Sequence, residues 1–258
     1  MNNLFDLSGK TALVTGASKG IGEMIATGLL QSGVKTYICS RKEDELFYTQ
    51  EKLSQYGQCL AICADLSTYE GVAALASKIK ESEPKLSILI NNAGATWGAS
   101  LEDFPETGWD KVMNLNVKSL FYLTTALLPS IRLAATPDDP ARVVNVGSIN
   151  GLSYSALQNY SYSASKAAVH HLSKQMAVDL AKDHINVNVI APGFFPSKMT
   201  AHLLDDIEQM LEHIPRRRLG QLEDVAGTVI YLCSRASSFV TGDIIVLDGG
   251  QSLLSSKT

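Results

Sequence analysis

The chain has 258 residues, 45% of them hydrophobic and 19% charged, with a formal net charge of −4. Its length suits one α/β domain with a substantial core, and its slight acidity, without a large basic cluster, argues against nucleic acid as a partner. No run approaches the roughly 18 apolar residues that a membrane span needs. Because the first residues lack the features of a secretion signal, we expect a cytoplasmic protein that does not bind a membrane, with buried free thiols.

Strand-like and helix-like segments alternate along the chain. Short apolar strands are predicted at about 10–15, 35–39, 59–63, 86–91, 142–147, 185–190 and 243–247. Helices are predicted between them, near 20–32, 43–56, 68–80, 109–131, 162–182 and 221–233. This alternation predicts an α/β fold with a single doubly wound (Rossmann) parallel sheet of about seven strands and helices on both faces. We expect residues 1–258 to form one domain.

The first predicted strand leads into a glycine-rich turn. Gly16, Gly20 and Gly22 follow the strand, and Ile21 begins an apolar-periodic segment that is typical of a helix. Glycines allow the backbone to approach a pyrophosphate, and the helix directs its free N–H groups and positive dipole end at that anion. The spacing is G-x-x-x-G-x-G rather than G-x-G-x-x-G, so this loop alone is compatible with either a nucleotide site or an ordinary βα turn.

A tyrosine and a lysine, Tyr162 and Lys166, lie four residues apart in a predicted helix, fourteen residues after Ser148. A spacing of four places both side chains on one helical face. An ammonium group beside a phenol stabilises the phenolate, so we expect a lowered pKa for Tyr162. Such a tyrosine, with a serine hydroxyl nearby, can give a proton to a carbonyl oxygen or take one from an alcohol.

Together these motifs resemble the short-chain dehydrogenase/reductase family, which is marked by a T-G-x-x-x-G-x-G loop, N-N-A-G, a catalytic serine and Y-x-x-x-K. All four stand here in family order, at 15–22, at 91–94, at Ser148, and at Tyr162 with Lys166. Further matches are Asp65-Leu66, Asn116, Ala191-Pro192-Gly193 and Asp248-Gly249-Gly250. The resemblance spans nearly the whole chain and implies a homotetramer or a homodimer.

The resemblance also implies roles for individual residues. The expected catalytic residues are Asn116, Ser148, Tyr162 and Lys166. The residues expected to bind the cofactor are Gly16, Ser18, Lys19, Gly20, Ile21, Gly22, Arg41, Asp65, Leu66, Asn92, Ala93, Gly94, Tyr162, Lys166, Pro192, Gly193 and Ser197. Asn116 is expected to interrupt its helix and to hold a water that links Lys166 to solvent. Asn91 is expected either to brace the core or to contact the ligand.

The end of the second predicted strand favours NADP(H) over NAD(H). An acidic residue at this place usually binds the ribose hydroxyls and disfavours a 2′-phosphate. Here Arg41 and Lys42 follow the strand instead. Arg41 can make a planar, bidentate contact with a phosphate, and Lys19 can reach the same anion. In the family, basic residues at these places accompany NADP; the alternative is that they are solvated surface charges.

The resemblance implies reduction of a ketone, with Tyr162 protonating the carbonyl oxygen and Ser148 holding it. Segments 147–151, 185–193 and 195–200 are similar to bacterial 3-oxoacyl reductases, particularly the rhamnolipid-associated type. This similarity implies a 3-oxoacyl thioester substrate and a 3-hydroxy product. Two alternatives remain, a polyol or sugar dehydrogenase acting on a gluconate-like substrate and a catalytically silent binding protein.

The carrier of the acyl group stays open at this point. Relatives that serve acyl carrier protein usually have basic residues before the serine strand and at the end of the tyrosine helix, which complement an acidic partner. This chain has Asp138, Asp139 and Asp183 at these places, although Arg142 is close by. Acyl-CoA, free 3-oxo esters and other ketones therefore remain candidates. The run 216–218 of three arginines can contact a CoA or carrier phosphate, or form a solvated face or a subunit contact.

Overall fold

The computed structural model describes residues 4–154, 157–196 and 207–254, and a sheet of seven parallel strands runs through them in the order β3-β2-β1-β4-β5-β6-β7. The strands are β1 Thr11–Thr15, β2 Lys35–Ser40, β3 Cys59–Cys63, β4 Ile88–Asn91, β5 Ala141–Val146, β6 Ile185–Pro192 and β7 Ile244–Leu247. The predicted doubly wound parallel sheet is therefore confirmed.

Helices cover both faces of this sheet. Their bounds are α1 Gly20–Gln31, α2 Glu43–Leu53, α3 Tyr69–Ser82, α4 Glu106–Met113, α5 Ser119–Ala134, α6 Tyr160–Leu180, α7 Ile207–Glu212, α8 Leu222–Cys233 and α9 Gln251–Leu254. Buried side chains of α1, α2 and α8 form one core cluster with the sheet, and those of α3, α5 and α6 form another. No helix within the described ranges is both long and apolar enough to cross a bilayer.

The central strands are apolar throughout because both of their faces are buried. In β1, Ala12 and Val14 pack under α1, whereas Leu13 between them packs on the opposite face. Residues of a strand point alternately to its two faces, so a strand covered on both sides needs apolar residues at every position. The same alternation occurs in β4, where Leu89 lies opposite Ile88 and Ile90.

The predicted helix at 109–131 differs from the structure, which has two helices there. α4 and α5 are joined by a π-helical segment, Asn114–Lys118, hereafter the π-turn. A π-turn inserts one extra residue into a helix and often occurs at a functional site. Hydrophobic periodicity does not reveal this interruption because both flanking helices contribute buried apolar residues, such as Val112 and Leu120.

Candidate active site

A cavity of about 710 Å³ opens at the carboxyl ends of the strands. It lies where the strand order reverses between β1 and β4, the place where doubly wound sheets bind ligands. Its walls include most of the predicted site residues, namely Gly16, Ser18, Lys19, Gly20, Ile21, Gly22, Arg41, Asp65, Leu66, Asn92, Ala93, Gly94, Ser148, Tyr162, Lys166, Pro192 and Gly193. Asn116 lies behind the wall, and Ser197 lies outside the described residues.

The glycine turn after β1 is held closed by Asn92. The side-chain nitrogen Nδ2 of Asn92 donates to the Thr15 carbonyl at 2.8 Å and to the Gly16 carbonyl at 3.0 Å. A side chain at Gly16, where φ is +64°, would bring a Cβ to 2.8 Å from the Ala93 backbone. A Cβ at Gly22 would lie 2.5 Å from the Gly16 carbonyl oxygen. Both glycines are therefore required for a backbone cradle beside the helix N-terminus.

That N-terminus belongs to α1, whose first residues line the cavity. The preceding residue, Lys19, makes no side-chain hydrogen bond to the first turn. The first-turn N–H groups of a helix have no partner within the helix, and its dipole favours an anion there. The cradle thus suits a pyrophosphate, which is the group that such turns bind.

Cationic side chains gather at the β2 end of the cavity. Arg41, Lys42 and Lys19 all line it. The carboxylate of Glu45, in α2, lies between the two lysines, 3.3 Å from Lys19 Nζ and 3.2 Å from Lys42 Nζ. Ser18 and Ser40 join the turn to β2 through a 3.1 Å hydroxyl contact. The two lysines face Glu45 and Arg41 lies near Asp65, so three cations face two carboxylates, and the remaining positive charge suits a phosphate group.

Asp65, after β3, is placed to accept a hydrogen bond from the ligand. Its Oδ1 accepts from the backbone N–H of Ser67 at 2.9 Å and from the Ser67 hydroxyl at 2.7 Å. These bonds, aided by Arg41, lower the pKa of the Asp65 carboxyl from its ordinary value. The group is therefore a carboxylate at neutral pH, with its other oxygen available beside Leu66 in the cavity wall.

The predicted catalytic pair of Ser148 and Tyr162 is brought together across the cavity floor. Ser148 caps a short 3₁₀ turn, and its hydroxyl accepts from Asn150 N–H at 3.2 Å. The Ser148 hydroxyl lies close enough to the phenol of Tyr162, in the first turn of α6, to lower its pKa. Loss of water around the phenol raises this pKa, and the Ser148 hydroxyl, which acts in the opposite direction, does not offset the effect.

This direction is opposite to the lowered pKa expected for Tyr162. The spacing of four does place Lys166 beside the ring, with Nζ 5.5 Å from the ring centroid. However, Nζ donates to the Val146 carbonyl at 2.7 Å, and burial lowers the pKa of Lys166 itself to about 8. Burial therefore outweighs the ammonium charge. In this structure Tyr162 is a phenol, the form required to donate a proton.

Asn116 lies at the centre of the π-turn and ties it to two neighbouring segments. Its Oδ1 accepts from Ala95 N–H at 2.8 Å, and its Nδ2 donates to the Ala95 carbonyl at 3.0 Å and to Ser165 Oγ at 2.9 Å. Ser165 Oγ in turn donates to the Tyr162 carbonyl at 2.7 Å. The predicted interruption of the helix is thus present, and Asn116 connects α6 to the cavity wall.

Asn91 belongs to the core and not to the cavity wall. Its amide donates to Thr124 Oγ1 at 3.0 Å and to Asn145 Oδ1 at 2.9 Å. Asn145 donates onward to Ser173 Oγ at 2.8 Å. The four side chains form a buried, fully paired chain from α5 through β4 and β5 to α6. Of the two roles considered for Asn91, the contacts support the core brace.

The family model described as "Enoyl-(Acyl carrier protein) reductase" matches residues 16–252. The chain belongs to the short-chain dehydrogenase/reductase family. Among proteins similar to this short-chain dehydrogenase/reductase is the Pseudomonas aeruginosa protein named "Rhamnolipids biosynthesis 3-oxoacyl-[acyl-carrier-protein] reductase". It is 48% identical over 253 residues, which cover 97% of this chain and 99% of that protein.

Two further comparisons place this short-chain dehydrogenase/reductase among its relatives. A 2-dehydro-3-deoxy-D-gluconate 5-dehydrogenase of Dickeya dadantii is 37% identical over 256 residues, covering 96% of this chain and 97% of that protein. The solved structure described as "Pseudomonas aeruginosa RhlG/NADP active-site complex" superposes with a TM-score of 0.94 and 47% identity, covering 98% of this chain and 100% of that chain. The predicted family resemblance is confirmed.

Several cavity residues of this short-chain dehydrogenase/reductase were not predicted from the sequence. They are Cys39, Ser40, Lys42, Glu45, Ala64, Ser67, Ala95, Lys111, Leu115, Val146, Gly147 and Phe195. Most of them adjoin a recognised motif, so their position next to a strand end could have indicated that they line the cavity. Glu45 and Lys111 reach the cavity from helices one turn or more away, and only the packing of those helices reveals them.

One basic residue of this short-chain dehydrogenase/reductase is not where a surface role would need it. Arg142, considered with the acidic residues around it, is 1% exposed. Its guanidinium donates to the Leu232 carbonyl at 3.1 Å and to the Ser234 carbonyl at 2.8 Å. It joins β5 to the end of α8 and offers nothing to a docking partner. In the arginine run, Arg218 forms a bidentate pair with Asp224, at 2.6 and 2.8 Å.

Proposed function

We propose that this protein is an NADPH-dependent carbonyl reductase that converts a 3-oxoacyl thioester to the 3-hydroxy product. The observation that carries the proposal is the pair of Ser148 and Tyr162, which lie close together on the wall of a cavity that also has a pyrophosphate cradle and a cationic end. Such a cavity can bind a dinucleotide beside a proton donor. The intact catalytic residues argue against a silent binding protein.

The residues of the cavity fit NADP(H). The glycine turn and the start of α1 would hold the pyrophosphate, Asp65 the adenine amino group, and Arg41 with Lys19 the 2′-phosphate. The neighbour described as an RhlG/NADP complex, 47% identical, supports this choice of cofactor. When bound, NADPH supplies the hydride. The structure has no acidic residue at the end of β2, where one would oppose the 2′-phosphate.

The chain's own residues supply the proton and stabilise the charge. Tyr162 donates its phenolic proton to the carbonyl oxygen as negative charge develops there. Ser148 donates a hydrogen bond to the same oxygen and fixes its position. Lys166, whose Nζ lies 5.5 Å from the Tyr162 ring centroid, stabilises the phenolate that remains. Asn116 holds the first turn of α6 in place through Ser165.

The loops beside the catalytic pair combine exposed apolar side chains, which suit an acyl substrate, with polar groups that a sugar acid can use. Segments 95–101 and 149–159 contain no Asp, Glu, Lys, Arg or His. They adjoin each other through Ala99 N–H, which donates to the Gln158 carbonyl at 3.3 Å. Leu152 and Tyr154 are exposed there by 47% and 74%. The exposed Leu152 suits an acyl chain, whereas the hydroxyl and amide side chains of the same segments, together with Lys111 Nζ at 5.1 Å from the Trp97 ring centroid, are the donors available to a gluconate-like carboxylate.

A polyol or sugar dehydrogenase is the second candidate. It is favoured by the 2-dehydro-3-deoxy-D-gluconate 5-dehydrogenase relative, 37% identical over nearly the full length of both chains. The shared catalytic residues serve oxidation of an alcohol equally well, because Tyr162 can accept a proton as phenolate. The two candidates differ only in what the rim of the cavity binds.

For the carrier, the charges at the expected docking positions favour CoA or a small ester over an acidic carrier protein. Asp139 pairs with Lys10, and Asp183 pairs with Arg132, whose Nη2 lies 2.8 Å away. The basic side chains that pair with these two aspartates are therefore neutralised within the chain. An acidic partner gains little attraction from such a surface.

We also propose a cytoplasmic homotetramer or homodimer, in which residues 1–258 form one domain. Exposed apolar side chains on α5 and α6, among them Tyr122, Leu133 and Val178, support association through these helices. The four cysteines are free thiols, and three of them are buried. Free thiols are typical of a reducing compartment.

The substrate proposal is tested by initial rates of NADPH and NADH oxidation with 3-oxoacyl-CoA, 3-oxoacyl-carrier-protein and 5-ketogluconate. We expect NADPH-selective reduction of the thioesters, with the CoA form turned over at least as well as the carrier-protein form. Turnover of 5-ketogluconate without thioester turnover would replace the first candidate by the second. The ratio between the two carriers decides the docking question separately.

A further inference from the structure

The backbone of β5 leaves the sheet immediately before Ser148. Gly147 N–H donates to the Ile190 carbonyl at 2.7 Å and is the last sheet-type bond of this strand. The next donor, Ser148 N–H, points instead to a side chain of α6, where His170 Nε2 accepts it at 3.4 Å. An imidazole thus replaces the neighbouring strand as the partner of the catalytic serine's backbone.

The chain around Ser148 is shaped to admit this ring. His170 is 4% exposed and lies one helical turn after Lys166. A Cβ at Gly147 would overlap His170 Nε2, and a Cβ at Gly151 would lie 2.8 Å from His170 Cε1. Glycine at 147 therefore leaves room for the imidazole, and Gly151 leaves room for both the imidazole and the backbone of α6, where the Lys166 carbonyl carbon would lie 2.7 Å from an added Cβ.

The hydrogen bond also fixes the state of the ring. Nε2 accepts, so His170 is neutral and its proton lies on Nδ1. Burial, followed by the charges of Lys166 and Lys174, lowers the pKa of His170 to about 4. Nδ1 is buried without a hydrogen-bond partner among the described residues. The Gly151 backbone, the smallest of the influences on the pKa of His170, acts in the opposite direction. The hydrogen bond that links the ring to the Ser148 turn is the one that Nε2 accepts.

We propose that His170 is a positioning residue for catalysis, whose imidazole accepts the Ser148 N–H and so fixes the turn that presents the Ser148 hydroxyl to Tyr162. The role rests on the proposed reductase chemistry of Ser148 and Tyr162, but not on the identity of the ketone. It accounts for three observations together, namely the unusual partner of Ser148 N–H, the two flanking glycines and the neutral, buried ring.

The position of Ser148 matters because two bonds depend on it. Its hydroxyl lies close to Tyr162 and lowers the pKa of the phenol relative to burial alone, and it must also reach the substrate oxygen. A donor displaced by a fraction of a hydrogen-bond length loses much of its effect on a transition state. Without the Nε2 acceptor, the Ser148 N–H becomes an unpaired buried donor and the turn shifts to find another partner.

The test compares three variants of α6. His170→Leu removes the acceptor at similar volume, His170→Gln keeps one, and His171→Leu makes the same change at the next residue, which is exposed. We measure kcat at saturating NADPH across pH, the dissociation constant of NADP+ by calorimetry, and Tm. Any ketone that the wild-type protein reduces serves as the substrate.

For His170→Leu we expect kcat to fall at least about tenfold while NADP+ binding changes by less than about twofold. The alkaline limb of the kcat profile, where the Tyr162 phenol loses its proton, moves to higher pH because the phenolate loses its bond from Ser148. Lys166 is the charged group beside Tyr162, and Lys166 and Lys174 are those beside His170; all three variants retain them. His170→Gln recovers part of kcat, and His171→Leu matches the wild type.

A lower Tm for His170→Leu with kcat and pH profile unchanged would overturn the proposal, since only packing would then be lost. If His170→Leu does not fold, the wild-type protein still decides. Its 15N-histidine NMR spectrum should show a non-protonated Nε2 and a protonated Nδ1 for His170 between pH 6 and 8. A protonated Nε2 would overturn the proposal because that nitrogen could not accept the Ser148 N–H.

Discussion

The two ends of the cavity carry charge in different ways. At the β2 end, Lys19 and Lys42 have side chains exposed by 44% and 58%, and both share the carboxylate of Glu45. At the catalytic end, Lys166 is 5% exposed and has no carboxylate within ion-pair distance in the described part of the chain. Its Nζ donates to the Val146 carbonyl at 2.7 Å and lies over the Tyr162 ring.

This difference indicates which substitutions each end tolerates. Exposed charges are screened by solvent, and neighbouring cations can replace one another. The loss of one therefore changes the affinity for the cofactor only modestly. Buried polar groups have no substitute nearby, so a single change removes a function outright or leaves a partner unpaired. Single substitutions at the cationic end should therefore weaken or strengthen cofactor binding by small factors. Single substitutions at the catalytic end should remove most of the activity.

The largest effect is expected for Tyr162→Phe. Removal of the proton donor should reduce kcat by roughly 10²–10⁴, the range for general acid catalysis. The dissociation constant of NADP+ should stay within about twofold, because the ring itself is retained. Tyr160→Phe is the matched control, since Tyr160 lies in the same helical turn and packs on Phe104 at 5.8 Å between ring centroids. Near-normal kcat for Tyr162→Phe would assign the proton to another group.

Lys166→Met should lower kcat nearly as far and yet stabilise the protein at pH 7. The pKa of Lys166, about 8 in the folded chain, lies below its ordinary value, so the charged form is penalised by folding. Between about pH 8 and the ordinary lysine pKa the unfolded chain binds more protons, and the free energy of unfolding of the wild type rises with pH.

At pH 7 the Tm of Lys166→Met should therefore be a few degrees higher than that of the wild type. This difference in Tm should become smaller towards pH 10. Lys174→Met, an exposed lysine on the same helix, should show no such trend. A variant less stable than the wild type at pH 7 would mean that the bond to the Val146 carbonyl outweighs the cost of the buried charge.

Smaller, opposite changes are expected at the cationic end. Arg41→Ala should weaken NADP+ binding by about tenfold and leave NAD+ nearly unchanged, because only NADP+ carries the 2′-phosphate. Glu45→Gln should tighten NADP+ binding by about two- to fivefold, since the phosphate no longer competes with a carboxylate for Lys19 and Lys42. Calorimetry at low ionic strength measures both, with Arg235→Ala as a control outside the cavity. Equal effects on both nucleotides would remove these residues from the 2′-phosphate site.

Much of this architecture follows from local sequence. The seven strands are short apolar runs whose ends carry the motifs, so β1 with its glycine turn and α6 with Tyr162 and Lys166 could be predicted from spacing. The strand ends of a parallel sheet meet at one edge, and segments far apart in the chain therefore converge there. That is why most predicted cofactor residues line one cavity.

Other features depend on packing that the sequence does not display. The pKa of Tyr162 is raised because of burial, which a spacing of four does not report. His170 is one polar residue of α6 among several, and its bond to Ser148 exists only because α6 lies against the end of β5. Glu45 was passed over because its carboxylate becomes relevant only when α2 folds back over the α1 turn.

The π-turn has a consequence for how this helix can change in evolution. One additional residue rotates everything after it by about 100° around the helix axis. Asn116 can therefore face Ala95, while Leu123 and Leu127 in the following helix, α5, still face the sheet. Deletion of one residue here would force a choice between the two orientations. The direction of the core side chains is thus set separately from the direction of the Asn116 amide.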